Sequence, residues 1–168
     1  THYLVHHEYP TPFRCDMRGH TFAIKDEGDR APQGGRYQRG HYDVVVFNPK
    51  FLERCDYNLA KGQDYEAVKR EIPRIINPIG TAPILLGVEF AFKRDPFRSQ
   101  KAIDRWWDGV FQDYQKLQAS KTWNDRPFMQ EIIVMAFDAT GRAGKHSRVR
   151  DDFNRLREIR YCAPTHTR

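Results

Sequence analysis

Two segments constrain this chain more than any others: HYDVVVF at 41–47 and ILLGVEFAFKR at 84–94. Each is a near-continuous apolar run, rich in β-branched and aromatic residues. Such runs describe strands of a sheet covered on both faces. Each run also contains one acid, Asp43 or Glu89. An ionised carboxylate in apolar surroundings is costly unless it is paired, protonated or bound to a metal. Side chains alternate along a strand, so Asp43 shares a face with Val45 and Phe47, and Glu89 with Ala91 and Lys93. If the two strands are neighbours, the acids converge at the ~5 Å spacing of strand neighbours. Their mutual repulsion would then favour a divalent cation, and hard oxygen ligands suit Mg²⁺.

The remaining pattern completes an α/β domain. HTFAIK at 20–25 has strand character, EIIVMAF at 131–137 reads as a further strand, and RYCAP at 160–164 as a closing one. Between ILLGVEFAFKR and EIIVMAF lies DPFRSQKAIDRWWDGVFQDYQKLQ, with Asp95 as cap and Pro96 at the first helical position. Its apolar stripe is Ile103, Trp107, Val110, Phe111, Tyr114 and Leu117. A second helix is expected after GRAGKHS, capped by Ser147, with Val149, Phe153 and Leu156 inward. GRAGKHS itself lacks the spacing of a phosphate loop and reads as a strand-to-helix turn. The order predicts a layered domain with a central mixed sheet of four to five strands flanked by helices. Residues 49–82 form an insert whose DYEAVKREIPRIIN has helical spacing up to Pro73. The 168 residues suit a single domain, and an upstream helix is expected to precede them.

Acids and a lysine supply the chemistry. Lys93 lies on the Glu89 face, where an ammonium can hold a water or neutralise charge on a pentacovalent phosphate. Glu8, in VHHEYPTPF ahead of the HTFAIK strand, can add a ligand. Neighbouring side chains of HH at 6–7 point to opposite faces of a strand, so the histidines here are read as core or surface residues rather than ligands. The three cysteines form no C-x-x-C pair and read as free thiols.

This constellation resembles the PD-(D/E)XK nuclease superfamily, the restriction-endonuclease-like fold, over about residues 5–137. RGHYDVVVFNP resembles the family's Asp strand and GVEFAFK its acid-and-lysine strand. The resemblance implies Asp43 and Glu89 as metal ligands with the Phe90 carbonyl as a third, and Glu8 as the auxiliary acid. It also implies a catalytic lysine two residues after the acid. That position holds Ala91, so Lys93 must bend back or Lys25 from the HTFAIK strand must substitute. The implied function is Mg²⁺-dependent hydrolysis of DNA phosphodiester bonds, with Mn²⁺ as a second cofactor. The rival readings are an inactive nucleic-acid-binding module of the same fold and an RNA-cleaving enzyme.

Charge agrees with a polyanionic partner. Lys and Arg total 28 against 22 Asp and Glu, a formal net charge of +6. The Gly- and Arg-rich loop supplies Arg30, Arg36 and Arg39 as phosphate contacts, with Arg142 and Lys145 from the later turn. No apolar run approaches the ~18 residues of a membrane span, and no leader is apparent, so a cytoplasmic protein is expected. A homodimer or a partner domain is compatible with these features.

Overall fold

A computed structural model of the chain describes residues 5–16, 22–25, 39–55, 70–71, 74–76, 79–123 and 125–164. It is an α/β structure with a six-stranded mixed sheet. The strands are β1 (Val5–Asp16), β2 (Ala23–Lys25), β3 (Arg39–Phe47), β4 (Ile84–Lys93), β7 (Met129–Asp138) and β8 (Ile159–Cys162), and their order is β2-β1-β3-β4-β7-β8. A separate small ribbon, β5 (Thr122–Trp123) with β6 (Arg126–Pro127), precedes β7. The helices are α1 (Pro49–Leu52), α2 (Gln100–Ala119) and α3 (Ser147–Arg155), the last preceded by a 3₁₀ turn at Ala143–Lys145. Within the rest of the insert, residues 70–71 and 74–76 are helical, and Pro73 lies outside the described residues.

β1, β3 and β4 are antiparallel neighbours, whereas β4, β7 and β8 run parallel. The chain passes from β4 through α2 to β7, and from β7 through α3 to β8. Parallel neighbours require such crossovers. α2 and α3 touch: Trp107 Nε1 donates to Asp152 at 2.9 Å, and Arg148 pairs with Asp108 at 2.6 Å. Both helices therefore cover the same side of the sheet, as successive right-handed crossovers in one direction must. Register places Gly87, Glu89 and Ala91 of β4 beside Ile132, Val134 and Ala136 of β7 on that side. Trp107, Val110 and Leu117 of α2 are fully buried there. Gly87 has close neighbours in this layer, because a Cβ on it would collide with Met129 Sδ and meet Leu117 at 3.2 Å.

Several expectations need correction. The sheet has six strands, because Val5–Asp16 is itself a long strand and Glu8 lies inside it rather than ahead of one. Helix α2 begins four residues later than Asp95 and Pro96 suggested. Ser99 is its cap and accepts from Ala102 N at 3.2 Å. Phe97 is the reason: its ring is buried against Trp106, so residues 95–98 form a connection that carries it into the core. Ser147 is the first residue of α3 rather than its cap; His146 holds that position and its ring faces Asp104 at 3.2 Å. Phe153 points outward and is exposed, resting edge-on against Tyr161. β4 is not covered on both faces, since Phe90 and Phe92 are exposed. The three cysteines are free thiols, as expected. Among the described residues no helix is long and apolar enough to cross a membrane.

Candidate functional site

Strands β3 and β4 pair, with a register shift between Val46 and Phe47, and then part. Their register runs from Phe47↔Ile84 to Val44↔Val88 and stops there. The next residues are Asp43 and Glu89. Where the ladder ends, the Asp43 side chain takes the place of a backbone acceptor. Its Oδ2 accepts from Phe90 N at 2.6 Å. An amide donor that would otherwise be left without a partner is thereby satisfied, and the carboxylate is fixed at the mouth of the opening.

Glu89 turns toward α2 and is only 3% exposed. Lys116 of α2 approaches it, with Nζ 2.8 Å from Glu89 Oε1 and 3.6 Å from Asp113 Oδ1. The ammonium also donates to the His41 carbonyl at 2.8 Å. Glu89 Oε1 is buried, and the Lys116 ammonium is its close polar neighbour, held by charge rather than by a well-aligned hydrogen bond. The last turn of α2 is tied to β3 by a further chain of bonds. Tyr42 OH donates to Ser120 Oγ at 2.6 Å, and Ser120 Oγ donates to the Lys116 carbonyl at 2.7 Å.

The electrostatics follow from crowding three acids around one cation. Burial lifts the Glu89 carboxyl up to about 8; Lys116 opposes the rise, while Asp113 and Asp43 add to it. Burial and the Asp43 charge likewise raise Asp113 against the pull of Lys116. Burial alone would lower Lys116, but Glu89, Asp113 and Asp43 outweigh it and hold the ammonium above its ordinary range. If all four groups are ionised, the cluster carries a formal charge of −2, which one divalent cation would balance.

The structure brings some of the expected residues together and separates others. Asp43 and Glu89 lie at the same opening. Glu8 falls between the pairs His7↔Val44 and Tyr9↔Tyr42, which places it beside Asp43 on the adjacent strand; its side chain is exposed and its φ is 53°. Lys93 does not reach the acids. Its Nζ lies over the Phe97 ring, 5.6 Å from the centroid, at the far end of β4. Lys25 is on edge strand β2, with β1 and β3 between it and β4. Arg30 and Arg36 lie outside the described residues, as does the side chain of Arg39. Lys145 is exposed, and Arg142 donates to the Phe97 carbonyl at 3.3 Å.

Sequence reasoning missed Lys116 and Asp113. Their signal was present in the helix. Asp108, Gln112 and Lys116 recur every four residues along α2, and all three are buried. A charged row flanking an apolar stripe in this way marks polar groups that must find partners inside.

Among the described residues no three His, Cys, Asp or Glu side chains are grouped as a ligand set by themselves. An ion at this opening would therefore take oxygens from two carboxylates, with backbone and water completing its shell. That coordination suits Mg²⁺, which keeps several waters. Glu89 Oε1 already faces the Lys116 ammonium at 2.8 Å, so its charge would be shared between that lysine and such an ion. Comparison with protein-family models, with curated proteins and with solved structures finds no match to this chain.

Proposed function

We propose that the chain is a Mg²⁺-dependent nuclease that hydrolyses DNA phosphodiester bonds, with a core of the restriction-endonuclease-like kind. One observation carries the reading: two acids from adjacent strands meet a buried lysine where the strands part. An antiparallel β1-β3-β4 meander followed by a helix and a parallel strand supports it at the level of topology.

Asp43 and Glu89 would hold the ion, with the Phe90 carbonyl as a third donor. When bound, Mg²⁺ supplies charge neutralisation at the phosphate and a water made more acidic. The chain's own groups do the rest. The Phe90 amide fixes the orientation of Asp43. Lys116, held by Glu89, Asp113 and the His41 carbonyl, is placed to orient a water or to donate to a phosphate oxygen. It takes the role expected of Lys93. Glu8, exposed beside Asp43, can hold water at the entrance.

The test is Asp43→Asn. With plasmid DNA and Mg²⁺, this variant should lose cleavage while retaining its fold and its affinity for DNA. Calorimetric titration with Mg²⁺ should give binding to the wild type and none to the variant. Equal cleavage by both proteins overturns the reading. The near-complete burial of Glu89 and Lys116 favours a second reading, an inactive binding module in which the cluster is structural. That reading predicts no Mg²⁺ binding in either protein. Parallel digestion of RNA separates the remaining alternative.

A further inference from the structure

We propose that the uncovered face of the sheet around Phe90, Phe92 and Phe137 is a platform on which bases of single-stranded nucleic acid stack. This binding function is separate from cleavage and requires no metal. It starts from the one-sided winding of the sheet. Because α2 and α3 lie on the same side, the opposite side of β4, β7 and β8 has no helix of the described residues packed on it. Alternation puts Phe90 and Phe92 on that side, and register sets them against Met135 and Phe137 of β7.

Exposure on this face is concentrated, and it is aromatic. Phe90 is 44% and Phe92 61% exposed, whereas Leu86 and Ile133 further along are half-buried. Phe137 lies 6.3 Å from Phe90 and 6.2 Å from Phe92, centroid to centroid, at tilts of 33° and 50°. The three rings form a continuous π surface across two strands. Sheets that bind single strands stack bases on exposed aromatics of this kind, at alternate positions of adjacent strands. Beyond Phe92 and Phe137 the surface dips into a cleft of about 300 Å³, also lined by Ala139, Cys162, Pro164 and Asp138, whose carboxylate is engaged by Thr140, Ala143 N and Tyr161. That volume is at the small end of ligand clefts, suited to one base.

Charge decides the occupant. The loops at this end of β4 and β7 expose Arg94, Arg98, Arg142 and Lys145, against Asp95 as the exposed acid of the same loops. The two loops touch through the Arg142 bond to the Phe97 carbonyl. Exposed Arg160 of β8 stands in register with Met135 on the aromatic face itself. An aromatic surface rimmed by cations matches stacked bases joined by phosphates.

The experiment uses the full chain in EDTA, which removes cleavage from the measurement. Fluorescence anisotropy follows a labelled deoxythymidine dodecamer and the corresponding duplex. Single-strand affinity should fall ~5-fold or more in Phe92→Leu and in Phe137→Leu, because leucine keeps the apolar area and loses the π face. Phe92→Trp should bind as tightly as the wild type or more tightly. Arg94→Gln should reduce the salt slope by ~0.7. Leucine variants that bind like the wild type overturn the proposal, as does a wild type that does not bind the single strand. It is also overturned if sedimentation shows self-association that Phe92→Asp abolishes while oligonucleotide affinity stays unchanged. A failure here leaves the Asp43-dependent cleavage test untouched, so the two readings fail separately.

Discussion

Lys116 occupies the place that the strand pattern assigned to Lys93. A lysine four residues after an acid in a strand has the correct face, but at about 3.3 Å per residue it lies too far along. The long stem of Lys93 instead carries its charge onto Phe97. Lys116→Met keeps most of the buried stem and removes the charge, and it should lower cleavage ~10²-fold or more, the effect of deleting one preorganised charge. Lys93→Ala should leave the rate near that of the wild type. A steady-state assay on the same plasmid compares them, and the opposite order would return the role to Lys93. Glu89 makes the second residue-level prediction. Its native pKa is raised from 4.5 to about 8, so between those values the unfolded chain has lost a proton that the native protein keeps. Without Mg²⁺, stability should therefore fall as pH rises through that window. Glu89→Gln carries no such proton, and its urea midpoint should fall less than that of the wild type between pH 5 and pH 8. Parallel profiles would show that Glu89 is ionised throughout. Neither residue's partner was legible in the sequence, because nothing in the order of residues states which turn of α2 faces which step of β4.

At the scale of elements, apolar runs announced β3, β4 and β7, and the stripe Ile103, Trp107, Val110 and Leu117 announced α2. What escaped was set by competition between local preference and burial. HYLVHHEY at 2–9 is strand-like in the sequence, but how far the strand runs was hidden by Pro10 and Pro12; β1 accommodates both, its register with β3 shifting between Pro10 and Arg14. Asp95 followed by Pro96 is a good helix start on local grounds, and burial of Phe97 overrides it. The late start is testable. Ser99→Ala removes the bond to Ala102 N and should cost about 1 kcal/mol. Asp95→Ala, at an exposed position outside the helix, should change stability by no more than about 0.5 kcal/mol. Thermal or urea unfolding of both variants decides which residue begins the helix.

For the whole molecule, the sequence conveyed the mixed sheet, but not that both crossovers lie on one side. Phe90 and Phe92 read as core because a parallel sheet is ordinarily covered on both faces, and only the contacts between α2 and α3 reveal the side left open. The parting of β3 from β4 has a consequence for how the molecule comes apart. β4 and β7 hold nine residue pairs in register, whereas β3 and β4 hold four before they separate. Cooperative opening units tend to follow such seams. Asp43 and Glu89 then belong to different units, one centred on the antiparallel pair β1 and β3 and the other on the parallel strands. A brief detachment of the antiparallel pair would dismantle the acid pair while most of the protein stays native. Activity should therefore vanish at a urea concentration that still leaves the amides of β4 and β7 protected from hydrogen exchange.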